Sequence, residues 1–230
     1  MLQANVLDHG KIALIDVWGD DRKPARTART SFRKDEDDKG IVLDNKLLNY
    51  LAEHRHDTPF EFCGIQLHVE MPIFVARQWV RHRAASINEE SLRYVEARRE
   101  VYIPAPERMQ KQSTNNKQGS SPELVDNPDL CTSIIKGNAQ YALASYDALL
   151  ENGLSKELAR TVLPLGIYTA WHWQANLRMV YHFLGLRCDP HAQYEIRVYA
   201  DVILQMVREA FPMCTRAWEQ AGRLGSEPQH

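Results

Sequence analysis

The sequence predicts a single α+β domain, in which a mixed or antiparallel sheet from the N-terminal half is packed by long helices from the C-terminal half. Two patterns carry this prediction. Residues Cys63 to Met71 alternate, with Ile65, Leu67, Val69 and Met71 on one face and Gln66, His68 and Glu70 on the other, the period of a half-buried strand. From Asp129 onward, apolar residues recur at helical spacing almost to the end of the chain. A length of 230 residues with 44% hydrophobic content fits one large domain or two small ones. The polar stretch 110–128 looks too short for an interdomain linker, so the domain is placed at 1–222 with a tail at 223–230.

Taken in order, Lys11 to Gly19 reads as a strand through Ile12, Leu14, Ile15 and Val17, closed by a Gly-Asp-Asp turn. A basic stretch with small residues follows at Arg26 to Ser31. Leu47, Leu48 and Leu51 lie at helical spacing behind an Asp/Asn cap signal, giving a helix from Asp44 that stops near His54 to Asp57. After the Cys63 to Met71 strand, Pro72 opens a helix running to Arg81, with Gln78, Arg81 and His82 toward one face. Gln110 to Pro128, rich in Gln, Asn, Ser and Pro, reads as a mobile surface loop. Four helices complete the chain. Asp129 to Glu151 is closed by Asn152-Gly153; a shorter helix is capped by Ser155 and ended by Pro164. Tyr168 to Leu184 is stopped by Gly185, and Pro190 to Phe211 is the last.

A formal net charge of -2 argues against a protein that holds nucleic acid through a global positive field, so an anionic ligand must meet a local arginine cluster. Cys63, Cys131, Cys188 and Cys214 are widely spaced, forming neither a close metal-binding pair nor a disulfide framework, which predicts a reduced, cytoplasmic protein. Met1 to Asp20 lacks the basic-then-apolar pattern of a signal peptide, and no segment approaches the ~20 apolar residues of a membrane span.

The densest polar cluster runs from Arg81 to Tyr94: three arginines, a histidine, two serine hydroxyls, an amide and a phenol gather where an apolar helix ends. Arginine's planar fork suits phosphate, because it donates two parallel charge-assisted hydrogen bonds. The residues alone leave open an anion pocket or a solvated helix end laced with Arg–Glu pairs. Two rival readings attach to the same region. His54, His56, Glu61 and His68 supply zinc-type donors, although their spacing fits no recognised helix motif. Arg81, Arg83 and Arg93 beside Trp79 and Tyr94 could clamp and stack a single-stranded nucleic acid, although Trp79 sits in an apolar run.

The spacing of Arg81-His82-Arg83 followed by seven residues and Ser91 resembles the signature of the flavin-dependent thymidylate synthases, and Glu89, Arg93 and Tyr94 match as well. Further pieces of that pattern recur in order: Ala28-Arg29-Thr30-Ser31-Phe32, His56 to Glu61, Pro72 to Gln78, Ala159-Arg160 leading to Leu163-Pro164, Asn176-Leu177-Arg178, Leu186-Arg187 and His191-Ala192-Gln193. The matches span nearly the whole chain. Leu92, where a smaller or more polar residue is the family habit, and an enlarged 110–128 loop are the two departures.

The resemblance implies a fold of the thymidylate synthase-complementing type, assembled as a homotetramer with FAD at subunit interfaces. It implies reductive methylation of dUMP to dTMP, with methylenetetrahydrofolate as one-carbon donor and NADPH reducing the flavin. It assigns Gln78, Arg81, Glu89, Glu90, Ser91, Leu92, Arg93, Arg160 and Arg187 to dUMP. Thr58, Arg81, His82, Arg83, Glu89, Asn176, Leu177, Arg178 and His182 fall to FAD, and His56 to a folate or flavin contact. Arg187 is the catalytic choice, because a cation beside the uracil carbonyl stabilises developing negative charge; the other reading of Arg187 is a cation favoured at a helix C-terminus. Ser91 is not read as a nucleophile, since sequence places no base beside it. Apolar positions in Tyr168 to Phe183 suit either a subunit interface or ordinary core.

Overall fold

The computed structural model describes residues 2–32, 41–114 and 117–224. Its centre is a five-stranded sheet, entirely antiparallel, in the order β1-β2-β3-β7-β4. The strands are β1 (Gln3–Val6), β2 (Gly10–Trp18), β3 (Gly64–Pro72), β4 (Ser86–Glu89) and β7 (Tyr168–Asn176). β2 and β3 fall within one residue of their sequence-predicted spans, because period-two alternation is a local signal.

β7 corrects the sequence reading of a helix over Tyr168 to Leu184. The first nine residues of that span are a strand paired on both edges, with Leu67 opposite Trp173 and Val69 opposite Trp171. Trp171, Trp173 and Ala175 point into the core while His172 and Gln174 stay exposed, a half-buried strand pattern hidden by aromatics that also satisfy helical spacing. The helix α6 begins only at Leu177 and runs to Arg187, through Gly185 rather than stopping there. Asn176 starts it, its Oδ1 accepting the Met179 amide at 3.0 Å. Of the two readings for Tyr168 to Phe183, core is the one observed: Trp173, Val180, Tyr181 and Phe183 are fully buried within one chain.

The helices are α1 (Arg22–Arg29), α2 (Ile41–Glu53), α3 (Ile73–Trp79), α4 (Pro128–Glu151), α5 (Lys156–Ala159), α6, α7 (Tyr194–Ala210) and α8 (Pro212–Gln220). Of these, α3, α6 and α7 lie against the sheet and the others pack mainly on neighbouring helices and turns. α3 ends at Trp79, so Arg81 and His82 lie beyond it and share no helical face with Gln78. Pro212 divides the last predicted helix from α8. α4 keeps its predicted end, closed by Asn152 and by Gly153 at φ +82°. The stretch 110–128 carries a small antiparallel ribbon, β5 (Gln110–Gln112) with β6 (Ser120–Leu124), within what the sequence suggests is loop. Of the tail placed at 223–230, Arg223 and Leu224 are described and pack on the core, and the remainder lies outside the described residues.

A second, smaller core of Ala97, Val101, Ala139, Tyr146, Ala159 and Ile167 joins α4 and α5 to the segment after β4. Leu92 packs against it, which accounts for an apolar residue at that departure from the family pattern. No described helix is long and apolar enough to cross a membrane.

Candidate active site

Where β3 and β7 meet α6, a cleft of about 590 Å³ opens between the 81–85 segment, α6 and the end of α8. Six arginines line it: Arg55, Arg81, Arg83, Arg178, Arg187 and Arg223. Among the described residues Asp57 is the only carboxylate in the lining, and it is held by Arg223 at 2.6 and 2.8 Å. Arg178 pairs with Glu61 and has its Nε 4.0 Å from Asp57. No carboxylate among the described residues pairs with Arg55, Arg81, Arg83 or Arg187. Four unneutralised guanidinium groups around one concavity attract an anion, and their forked donors suit phosphate oxygens.

His82 sits at the floor of this cluster. Arg187 Nε donates to His82 Nε2 at 3.1 Å, and the imidazole stands edge-on to Phe183 at 4.9 Å and to His182 at 5.9 Å. A guanidinium only donates, so Nε2 carries the lone pair and Nδ1 the proton. Burial first, then the Arg187 and His182 charges, push the His82 pKa down to about 4. Burial also lowers the Arg187 pKa. The pair therefore presents one fixed cation and one neutral imidazole at neutral pH.

This arrangement has a consequence for stability. An unfolded histidine protonates near 6.5, whereas the folded protein resists protonating His82 until about 4, so stability falls as pH drops through that window and is unaffected above it. In urea titrations of ligand-free protein, His82→Asn is expected to flatten the dependence between those two values by up to one proton, ~1.4 kcal/mol per pH unit. An unchanged slope would show that His82 titrates normally.

Residues 13–213 match the sequence model of the family described as thymidylate synthase complementing protein. The chain belongs to this family. Proteins named flavin-dependent thymidylate synthase from Gluconobacter oxydans and Wolbachia pipientis wMel are 44% and 46% identical to it, over 96% and 93% of this chain and 73% and 75% of theirs. The crystal structure of a UMP/dUMP methylase PolB from Streptomyces cacaoi bound with 5-Br dUMP superposes with a TM-score of 0.87 at 27% identity, covering 96% of this chain and 99% of that one.

Within the family fold, the cleft gathers Arg81, His82, Arg83, Arg178, His182 and Arg187 from the residues the sequence singles out. Sequence reasoning missed Arg55, Asp57 and Arg223. Thr58 is exposed directly beside Asp57 at the start of a 3-10 turn, Thr58–Phe62. Asn176 borders an adjoining hollow that shares Ala84 and Ala85 with the cleft, and its side-chain oxygen is occupied as the α6 cap. Asn176→Ala is expected to lower stability by ~1 kcal/mol in a thermal melt of flavin-free protein; no change would free that oxygen for a ligand. The side chain of Leu177 is fully buried in the core.

The remaining nucleotide set lies elsewhere on the chain. β4 leads away from the cleft, pairing Ser86 with Gln174 and Glu89 with Trp171. Glu89 accepts from Thr169 Oγ1 at 2.8 Å, and Arg98 bridges Glu90 and Glu70 at 2.9 and 3.1 Å. Ser91 Oγ accepts the Arg93 amide at 3.3 Å, a local turn contact. Arg93 pairs with Glu157 at 3.3 Å, and Arg160 Nε donates to the Glu157 carbonyl at 3.2 Å. Gln78 keeps a buried Oε1 with no partner. None of these residues lines the cleft of the same chain. His56 is exposed, with its ring edge-on to Tyr50 at 5.7 Å, outside the cleft lining.

The rival sets are dispersed. Glu61 is engaged by Arg178, and His68 stands on the polar face of β3 with its ring 5.1 Å from His172. No three metal-type donors gather among the described residues. Trp79 is fully buried, leaving Tyr94 without a neighbouring stacking ring in the proposed nucleic-acid clamp.

Proposed function

We propose that this protein converts dUMP to dTMP by reductive methylation, with methylenetetrahydrofolate as the one-carbon donor and NADPH as the reductant of FAD. The observation that carries this reading is the cleft lined by four arginines without carboxylate partners among the described residues, one of which, Arg187, holds a neutral His82. A donor set of this kind fits a dinucleotide's diphosphate, and the 5-Br dUMP in the related methylase fits the nucleotide half of the assignment. When bound, FAD supplies hydride chemistry that no side chain provides. Arg81, Arg83 and Arg178 bind and orient the anionic groups, while Thr58 and His182 border the flavin. Arg187 places its charge against the uracil carbonyl. No serine attack is required, and Ser91 positions the nucleotide.

The separation of Ser91, Arg93 and Arg160 from the cleft supports a homotetramer whose sites combine residues of several chains. The long helix α4 offers a surface for such contacts, because Leu130, Ile134 and Tyr141 are 54%, 55% and 76% exposed on it. Cytoplasmic location accords with free cysteines. The deciding experiment follows NADPH oxidation by purified, FAD-supplemented protein with and without dUMP, and then dTMP after methylenetetrahydrofolate is added. Accumulation of dTMP dependent on all components is the expected result; none under those conditions defeats the proposal.

A further inference from the structure

We infer that Arg223 is a positioning residue of the cleft: it neutralises Asp57 and thereby keeps the one carboxylate in the described lining from repelling a bound diphosphate. The inference rests on reading the cleft as the flavin site.

The fold goes to some length to bring Arg223 there. α8 ends at Gln220, and the chain reverses through Gly222 at φ +65°, with the Gly222 amide bonded to the Glu219 carbonyl at 2.9 Å and the Arg223 amide to the Trp218 carbonyl at 3.0 Å. Leu224 is then buried. The returning backbone lies directly on α6, where a Cβ on Gly185 would stand 2.7 Å from the Arg223 carbonyl oxygen. Glycine inside a helix is unfavourable, and here its missing side chain is what admits the strap.

The side chain is equally determined. Both Asp57 oxygens accept from Arg223, at 2.6 and 2.8 Å, the Ala52 carbonyl accepts a third bond at 3.0 Å, and the guanidinium carbon lies 3.6 Å over the Trp218 ring. Arg223 and Asp57 side chains are 14% and 19% exposed. A bidentate, stacked arginine at this level of burial is a rigid group. Asp57 is also the only carboxylate lining the cleft among the described residues, and it lies within 4.0 Å of Arg178. Stripped of Arg223, that carboxylate would repel a diphosphate bound among the cleft arginines. Arg223 thus acts on the ligand through Asp57.

A staple that merely holds the C-terminal segment predicts the same damage whenever the Arg223–Asp57 bonds are lost. A charge-masking role predicts that removing both charges repairs what removing one destroys. The experiment measures FAD dissociation constants by fluorescence titration of the full chain for the wild type, Arg223→Gln, Asp57→Asn and the double variant. Arg223→Gln is expected to weaken FAD about tenfold, the scale of one unmasked charge several ångströms from an anion at a partly exposed site. The double variant is expected to return to within about threefold of wild type, a recovery that grows smaller in high salt as both charges are screened.

Wild-type binding with an unchanged Arg223→Gln, or a double variant as weak as Arg223→Gln, overturns the inference alone. A wild type that binds no FAD overturns the reading of the cleft and this inference with it. Should Arg223→Gln not fold, Asp57→Asn, which keeps the arginine, decides: FAD binding as tight as wild type or tighter supports the masking role, and weaker binding overturns it.

Discussion

Arg187→Gln is expected to lower the single-turnover rate of dTMP formation by ~10²–10³, equivalent to ~2.7–4 kcal/mol of lost transition-state stabilisation. The size follows from how the charge is held. Arg187 is the last residue of α6, is partly buried, and has no carboxylate partner among the described residues, so its charge is not spent on one of them. Its Nε bond to His82 constrains the guanidinium of a residue that lines the cleft, and uses only one of its five N–H donors. A donor oriented before the reaction begins loses little to reorganisation when negative charge develops on the substrate. The competing account makes Arg187 a cation that complements the α6 dipole, which contributes only ~0.3–1 kcal/mol and would appear in the melting curve rather than in the rate. Arg187→Lys separates the two. Lysine retains the helix-end charge but lacks a fixed fork, so a structural role predicts full recovery and a catalytic role predicts a rate still well below wild type. A rate for Arg187→Gln within a few-fold of wild type would remove Arg187 from the chemistry.

What the sequence discloses about this site depends on the range of the interaction being read. The alternation from Cys63 to Met71 is local, and β3 emerges within one residue of it. β4 has only four residues and a polar sequence, and its existence depends on pairing with β7, far along the chain. Tyr168 to Asn176 satisfies both helical and strand spacing, and the choice is made by β3 and β4 on its two edges rather than by its own residues. The same holds for the site. Arg81, His82 and Arg83 are adjacent and form a recognisable run, and Arg178, His182 and Arg187 follow on one helix. Arg223 meets Asp57 across 166 positions, so no spacing rule connects them. Gly185, which the sequence suggests is a helix stop, is in the structure a mid-helix glycine that admits the Arg223 backbone, so its spacing gave no pointer to Arg223.

Trp79→Ala is expected to cost ~3–5 kcal/mol of unfolding free energy, a large share of the ~5–15 kcal/mol that holds a typical domain together. Trp79 is fully buried, stacked on Phe183 at a centroid distance of 4.6 Å and met edge-on by Trp171 and Trp173, each at 5.7 Å. The substitution empties the centre of an aromatic cluster drawn from α3, β7 and α6, whose members are too rigid to collapse into the space. Aromatic pairing adds ~0.5–1.5 kcal/mol to the burial term. Trp79→Phe keeps the stack and is expected to lose much less, and its indole Nε1 is no obstacle because that group has no hydrogen-bond partner to forfeit. Phe183 also carries the edge of His82, so the damage reaches the cleft: loosening the ring beneath His82 loosens the imidazole against which Arg187 is oriented. Urea denaturation of the two variants, with the dTMP-forming rate of whatever folds, tests both parts. A tryptophan reserved for stacking nucleic acid would be exposed, and its removal would leave stability nearly unchanged; a loss below ~1 kcal/mol for Trp79→Ala would therefore overturn the placement of this residue at the centre of the core.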